Sequence, residues 1–323
     1  MQRLIRPLTL SMIAAVAVYG GMAILADVGT LDESAAKLGA TGWVIVLALT
    51  LANQGIRFVR WQFYLHRLGA QIDAAQSLLY YMGGFAFTVT PGKAGEAIRS
   101  LYLKRHGMSY ADSLAALFAE RLLDLAAVLL LALFAILIFP GFRWTVAVIA
   151  LLLLAFLPLI HAPQAHRLLE YITHSLPSLR LRALGTGLAT LLRAASDLLK
   201  SGPLYGGLFL GLVAWAAQGV AFHIIVSALG IEVGWLLSIG IYSTAILIGA
   251  LSFIPGGLGS TEAVMILLLT VVGSDTPTAV AATLICRLAT LWFAVLIGIL
   301  ALAVVELRHQ PAENPPTPLV DRE

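Results

Sequence analysis

Six stretches of this chain are apolar over a length that reaches across a bilayer, and that property fixes the solvent in which it folds. A crossing helix needs about 17–25 mostly apolar residues. Leu8 to Ala26, Gly42 to Phe58, Ser113 to Phe139, Trp144 to Ile160, Leu204 to Leu229 and Ala279 to Val305 satisfy this. Composition agrees: 60% of the 323 residues are hydrophobic and 11% charged, against roughly 45–50% and ~25% in soluble domains. The formal charge of +3 is scattered over the chain and forms no basic stripe, so nucleic acid is excluded as a partner. Cys286 is the only cysteine, and the seven histidines lack ligand spacing, so neither a disulfide, a metal nor a cofactor is expected.

Two further apolar regions are interrupted. Ser77 to Leu103 breaks at Thr90-Pro91-Gly92-Lys93-Ala94-Gly95, and Trp235 to Gly273 breaks at Pro255-Gly256-Gly257-Leu258-Gly259. Proline removes a backbone donor and glycine loosens the helix, so each region reads as two half-helices joined within the membrane. The expected fold is all-α: a polytopic membrane protein with six full spans plus two re-entrant hairpins. The alternative is that both interrupted regions cross fully, giving eight or more helices. Basic residues then orient the chain. Arg3 and Arg6 precede the first span, Arg57, Arg60 and Arg67 follow the second, and Arg167, Arg180, Arg182, Arg193 and Lys200 follow the fourth, whereas the segment from Leu31 to Thr41 is acidic. Both termini are therefore expected in the cytoplasm, with the first hairpin opening to that side and the second to the exterior. Trp43, Trp61, Trp144 and Trp235 fall at the expected interfaces. The segment 164–200 reads as an amphipathic helix broken at Pro177, lying in the interface or packed on the bundle. The tail 310–323 is expected to be disordered.

The two breaks align. Pro91, Gly92 and Gly95 match Pro255, Gly256 and Gly259 at a constant offset of 164, and Arg121 follows Glu96 by the same 25 residues that separate Arg287 from Glu262. Residues 1–142 and 143–309 thus read as two repeats, each with three spans and a hairpin. An odd number of crossings inverts the second, as in many alternating-access transporters whose site lies at the repeat interface. Eight ionisable groups fall in or beside apolar segments: Lys93, Glu96, Arg99, Glu120, Arg121, Asp124, Glu262 and Arg287. At roughly 3 kcal/mol each unpaired, they must be paired or wet. Their formal charges cancel, so a purely structural network is one reading. Glu120 and Asp124, four apart on one helix face, require a shared cation, for which Arg99 and Arg287 are the expected partners. The second reading is a site. Each hairpin should present a helix N-terminus after its Pro-Gly turn, and two such dipoles of about half a positive charge suit one phosphodiester, with carboxylates to receive an ammonium group. Ser260 and Thr261 either bind phosphate or cap the helix. Tyr80, Tyr81, Tyr242 and His223 read as packing residues, and Gly207 and Gly211 as a helix contact.

At these residues the sequence resembles the flippase-like transmembrane family of the lysylphosphatidylglycerol synthases. The resemblance rests on TPGKAGEAIRSLYLKR from Thr90 to Arg105, AERLLD from Ala119 to Asp124, FIPGGLGSTEA from Phe253 to Ala263 and CRLATLWF from Cys286 to Phe293. It implies a lipid flippase of the bacterial inner membrane that moves a phospholipid, hopanoid or polyprenyl-linked headgroup, either alone or as a homo-oligomer, with the eight charged residues lining its path. The soluble aminoacyl-transfer domain of the synthases has no counterpart in this sequence, so a flippase rather than an enzyme is expected. The competing readings are a proton-coupled transporter of a small soluble anion, a lipid-modifying enzyme and a non-transporting scaffold.

Overall fold

In a computed structural model, the residues described are 28–136 and 178–309, with a few isolated positions between them. The expected spans Leu8 to Ala26 and Trp144 to Ile160, Pro177 and the tail 310–323 lie outside the described residues or almost wholly so. All regular structure among the described residues is helical. Helix α1 covers Val28–Arg67 and is broken at Gly39, whose φ of 63° with ψ of 168° is not helical. Helix α2 (Ala74–Gly84) leads through two 3-10 segments, Phe85–Phe87 and Pro91–Ile98, into the short α3 (Arg99–Lys104), after which α4 (Tyr110–Ile136) follows. Helix α5 (Leu179–Leu198) precedes a second series: α6 (Ser201–Ala228), α7 (Trp235–Leu251), a 3-10 turn at Pro255–Gly257, and α8 (Ser260–Val271). Helix α9 (Thr276–Arg287) then continues through one π turn, Leu288–Trp292, into α10 (Phe293–His309).

Three of these helical stretches, Asp32–Arg67, Ser201–Ala228 and Thr276–Arg308, are long and apolar enough to cross a membrane. Helix α4 is 27 residues long, about 40 Å, but carries Asp112, Glu120, Arg121 and Asp124. These charges require α4 to be enclosed, and it is: α4 packs against α5, α6 and α7. Helices α1 and α6 run antiparallel, since Asn53 donates to the Ala214 carbonyl (2.8 Å) while Arg60, about two helical turns further on, reaches Gly207 (3.2 Å). Helix α4 packs on α7 of the other series, and α10 packs on α2 with its 3-10 extension. Each series thus lays its last helix against the broken segment of the other.

Two expectations are corrected. The chain from Leu31 to Thr41 belongs to α1, helical apart from its break at Gly39, and α1 runs on through Arg57 and Arg60 to Arg67. Arg57 and Arg60 are therefore not loop charges. They are 5% and 1% exposed, so of that group only Arg67 can mark a membrane side. Trp61, assigned to an interface, is buried at 1% beneath the Arg99 guanidinium, 5.2 Å from its ring. Helix α5 leaves Leu181, Leu184 and Leu188 exposed while its last turn, with Ala194, Ala195 and Leu198, is buried and the helix packs on α4. It combines an exposed apolar face with a docked end.

Candidate functional site

The two Pro-Gly breaks meet. The segment Pro91–Ile98 touches the turn Pro255–Gly257, and Val89, Leu258, Leu291 and Val295 form a small apolar cluster beside them. Gly256 and Gly257 take φ of 63° and 66°, a left-handed backbone that glycine adopts without steric cost. Phe253 also has a positive φ, 55°, which for an aromatic residue is a strained conformation.

The buried charges gather around this junction as two groups. In the first, Glu96 accepts from Arg99 (2.9 Å) and Arg121 (2.7 Å), and Glu120 accepts from Arg99 (3.1 Å) and from the Tyr81 hydroxyl (2.9 Å). Asp124 is held by Arg57 (2.7 Å) and Arg60 (2.5 Å), both of which also approach Glu120. The shared cation that Glu120 and Asp124 require is thus supplied from α1. In the second group, Arg287 donates from Nε to Glu262 (2.6 Å) and from Nη2 to the Gly256 carbonyl (2.7 Å). Arg287 is therefore not a partner of Glu120 or Asp124: its fork is engaged by its own series. Arg121, adjacent to Glu120 in sequence, nevertheless lies 3.7 Å from it and 3.5 Å from Asp124. The Glu96–Arg121 and Glu262–Arg287 pairs are the two equal 25-residue spacings of the sequence, each closed by an ion pair.

The expectation of free N–H groups is corrected at one N–H of each hairpin tip. Glu262 turns back to accept the Gly259 N–H (2.7 Å), so the start of α8 is neutralised by its own carboxylate. In the first series Pro91–Ile98 is 3-10 rather than α-helix, and the Thr90 hydroxyl accepts from Gly95 N–H (2.8 Å). Ser260 bonds the Gly257 carbonyl (3.1 Å) and the Ser252 hydroxyl (3.0 Å), a local capping role. The side chain of Lys93, like those of the neighbouring residues 91–94, lies outside what the structure describes.

Between the charge groups is a cavity of about 350 Å³. Of the residues singled out in the sequence, Glu96, Arg121, Asp124, Gly256, Gly257, Thr261 and Arg287 line it, while Arg99, Glu120, Ser260 and Glu262 stand behind its wall. Gly95, Pro255 and Gly259 shape the turns and are not among the described lining residues, and Pro91 and Gly92 form the first turn with Gly95. Tyr242 lines it as well, whereas Tyr80 stacks on Tyr102 at 4.9 Å. His223 pairs with Ser238 (3.1 Å), and Gly207 and Gly211 let Tyr64, Arg60 and Ala127 approach α6, so these remain packing positions. Among the residues that line the cavity, Leu251, Phe253 and Ile254 are 39%, 73% and 43% exposed. A cavity holding charged and amide side chains among apolar ones thus reaches exposed apolar surface.

Sequence reasoning missed Asn53, Gln54, Arg57, Trp215 and Gln218, all on the cavity wall, and Arg60 behind it. A signal existed: Gln54-Gly55-Ile56-Arg57-Phe58 and Gln218-Gly219-Val220-Ala221-Phe222 match at the same offset of 164 as the Pro-Gly breaks. With Arg57 and Arg60 counted, the described side chains of the two groups comprise five arginines and four carboxylates, an excess of one positive charge rather than the expected balance.

Long apolar helices enclosing a charged cavity define a multi-pass helical membrane protein. Within that class the chain belongs to the family of the lysylphosphatidylglycerol synthase TM region, which matches residues 12–298. It is similar to a UPF0104 membrane protein of Methanothermobacter thermautotrophicus, 25% identical over 278 residues, 79% of this chain and 82% of that relative. It is likewise similar to a UPF0104 membrane protein of Pyrococcus horikoshii, 25% identical over 272 residues, 74% of this chain and 80% of that relative.

Proposed function

We propose that this protein is a lipid flippase: it moves the headgroup of a phospholipid or other lipid-linked molecule through the cavity while the acyl chains stay in the bilayer. The observation that carries this reading is the exposed apolar part of the cavity lining. A transporter of a soluble anion needs a polar entrance reached from water, whereas the exposed lining residues Leu251, Phe253 and Ile254 are apolar and suit lateral entry of a lipid. Inside, the arginine excess attracts a phosphate, and Arg121, the most accessible cation of the first group with 24% of its side chain exposed, lines the passage.

We further place six full spans and two re-entrant hairpins in two inverted repeats, residues 1–142 and 143–309, with both termini in the cytoplasm and the protein in the cell's inner membrane. The antiparallel packing of α1 on α6, the first described helix of each series, supports the inversion. The exchanged contacts of α4 with α7 and of α10 with α2 support a shared interface. Alternating access then consists of one broken segment withdrawing from the other around the touching Pro-Gly turns. Nothing in the sequence resembles a nucleotide-binding loop, so the lipid gradient, an ion gradient or a partner drives the movement.

The test is reconstitution in vesicles with tail-labelled phospholipids and an impermeant quencher that reports exposure in the outer leaflet. Wild-type protein should speed transbilayer exchange, and Arg121→Ala and Arg287→Ala should each abolish that gain while remaining folded in detergent. Unchanged exchange in both variants would remove these arginines from the path, and no exchange with wild type would remove the function.

A further inference from the structure

Two pairs of side chains on the cavity wall carry polar atoms that the ion-pair network leaves unused. On α1, Gln54 and Arg57 are three residues apart and share a face; on α6, Trp215 and Gln218 do the same. All four line the cavity and are 2–7% exposed. Each carries a polar atom without a hydrogen-bond partner among the described residues: Oε1 of Gln54, Nε of Arg57, Nε1 of Trp215 and Oε1 of Gln218. The Nε of Arg121 is unpartnered as well. Buried polar groups left unpaired each cost about 1–3 kcal/mol, so a cluster of them on one wall marks a place that a polar ligand completes. The glutamines also occupy corresponding positions of the two series, at the offset of 164. A carboxamide from each half therefore faces the same space.

The chemistry of the missing partner follows. Arg57 and Arg121 both approach Asp124 Oδ2, at 2.7 and 3.5 Å, which brings their guanidinium groups together on one side of the cavity. Their unpartnered Nε–H groups and the indole N–H of Trp215, whose ring lies 5.4 Å from the Arg57 guanidinium carbon, are donors only and require an anionic or neutral oxygen. Carboxamides both donate and accept, as hydroxyl groups do. An ammonium group is disfavoured, because each of Glu96, Glu120, Asp124 and Glu262 already holds an arginine and positive charge is in excess. This departs from the ammonium pocket expected from sequence.

Resting on the headgroup reading above, we propose that the preferred cargo is a lipid whose phosphodiester bears an uncharged, hydroxylated headgroup. Arg57, Arg121 and Trp215 take the phosphate, and Gln54 with Gln218 take the hydroxyls. The experiment compares three tail-labelled lipids in the same vesicles: phosphatidylglycerol (anionic, with hydroxyls), phosphatidylmethanol (anionic, without) and phosphatidylethanolamine (zwitterionic). Wild type should exchange phosphatidylglycerol at least tenfold faster than either of the others, with phosphatidylethanolamine slowest. In Gln54→Leu/Gln218→Leu the phosphatidylglycerol rate should fall to that of phosphatidylmethanol. Equal wild-type rates for all three lipids, or preference for phosphatidylethanolamine, would overturn the assignment of the headgroup while leaving the flippase intact. A double variant that keeps the full phosphatidylglycerol preference would overturn the role of the glutamines. Exchange of none of the lipids would overturn the flippase reading and this assignment with it. The wild-type comparison decides the headgroup even where the double variant does not fold.

Discussion

At the scale of single residues, the cost of a buried charge decides which side chains are needed. Arg60 is 1% exposed and holds both Asp124 and the Gly207 carbonyl, so Arg60→Met leaves Asp124 with a diminished partner set in a low-dielectric interior. Breaking such a pair costs about 3–5 kcal/mol, and thermal unfolding in detergent should show a large loss of stability for Arg60→Met. Arg287→Lys tests geometry instead of charge: an ammonium cannot reproduce the fork that reaches Glu262 and Gly256 together. Its expected outcome is folded protein whose lipid exchange slows at least tenfold. The arginines that the repeat pairs with glutamates, Arg121 and Arg287, were legible from equal spacing alone. Arg57 and Arg60 were not, because a count of apolar residues stops the helix at Phe58, while the folded chain carries it to Arg67 by pairing the charges across to α4.

At the scale of elements, close backbone approach sets what the helices tolerate. A methyl group on Gly298 would collide with the backbone of Ala86, whereas one on Gly206 would meet nothing within 4 Å. Gly298→Ala should therefore destabilise by about 1–3 kcal/mol, and Gly206→Ala should be neutral or slightly stabilising, as read by denaturation of the two variants side by side. Asp275 caps α9 by accepting from Thr278 N–H (3.1 Å). Hydrogen bonds from the Thr278 hydroxyl and backbone hold its carboxyl below the usual carboxylate range. A depressed folded-state value means that this contribution is complete above the unfolded pKa of about 3.9 and is lost as pH falls through the folded value. Asp275→Ala should cost about 1 kcal/mol at neutral pH, and the difference from wild type should vanish in acid. The Pro-Gly breaks were visible in the sequence because proline and glycine act locally. The 3-10 course of Pro91–Ile98 and the self-capping of α8 by Glu262 were not, since both depend on where neighbouring oxygen atoms fall in the fold.

At the scale of the molecule, the proposed inversion of the repeats has a geometric consequence. The turn after α1 and the turn after α6 end corresponding helices that run antiparallel, so they belong on opposite membrane faces. With Cys286→Ala as background, Gln71→Cys should react with an impermeant maleimide from one side only and Glu232→Cys from the other; labelling of both from one side would refute the inverted arrangement. The helical membrane class was legible from apolar length because that is a one-dimensional pattern. The sign of the cavity was not, because it depends on arginines brought from α1 into contact with α4. The account rests on that cavity holding the head of a lipid. Native mass spectrometry of the purified protein tests it most directly. The account predicts one retained anionic phospholipid per chain, lost in Arg121→Ala/Arg287→Ala; lipid-free protein, or bound lipid that mirrors the bulk membrane in both forms, would contradict it.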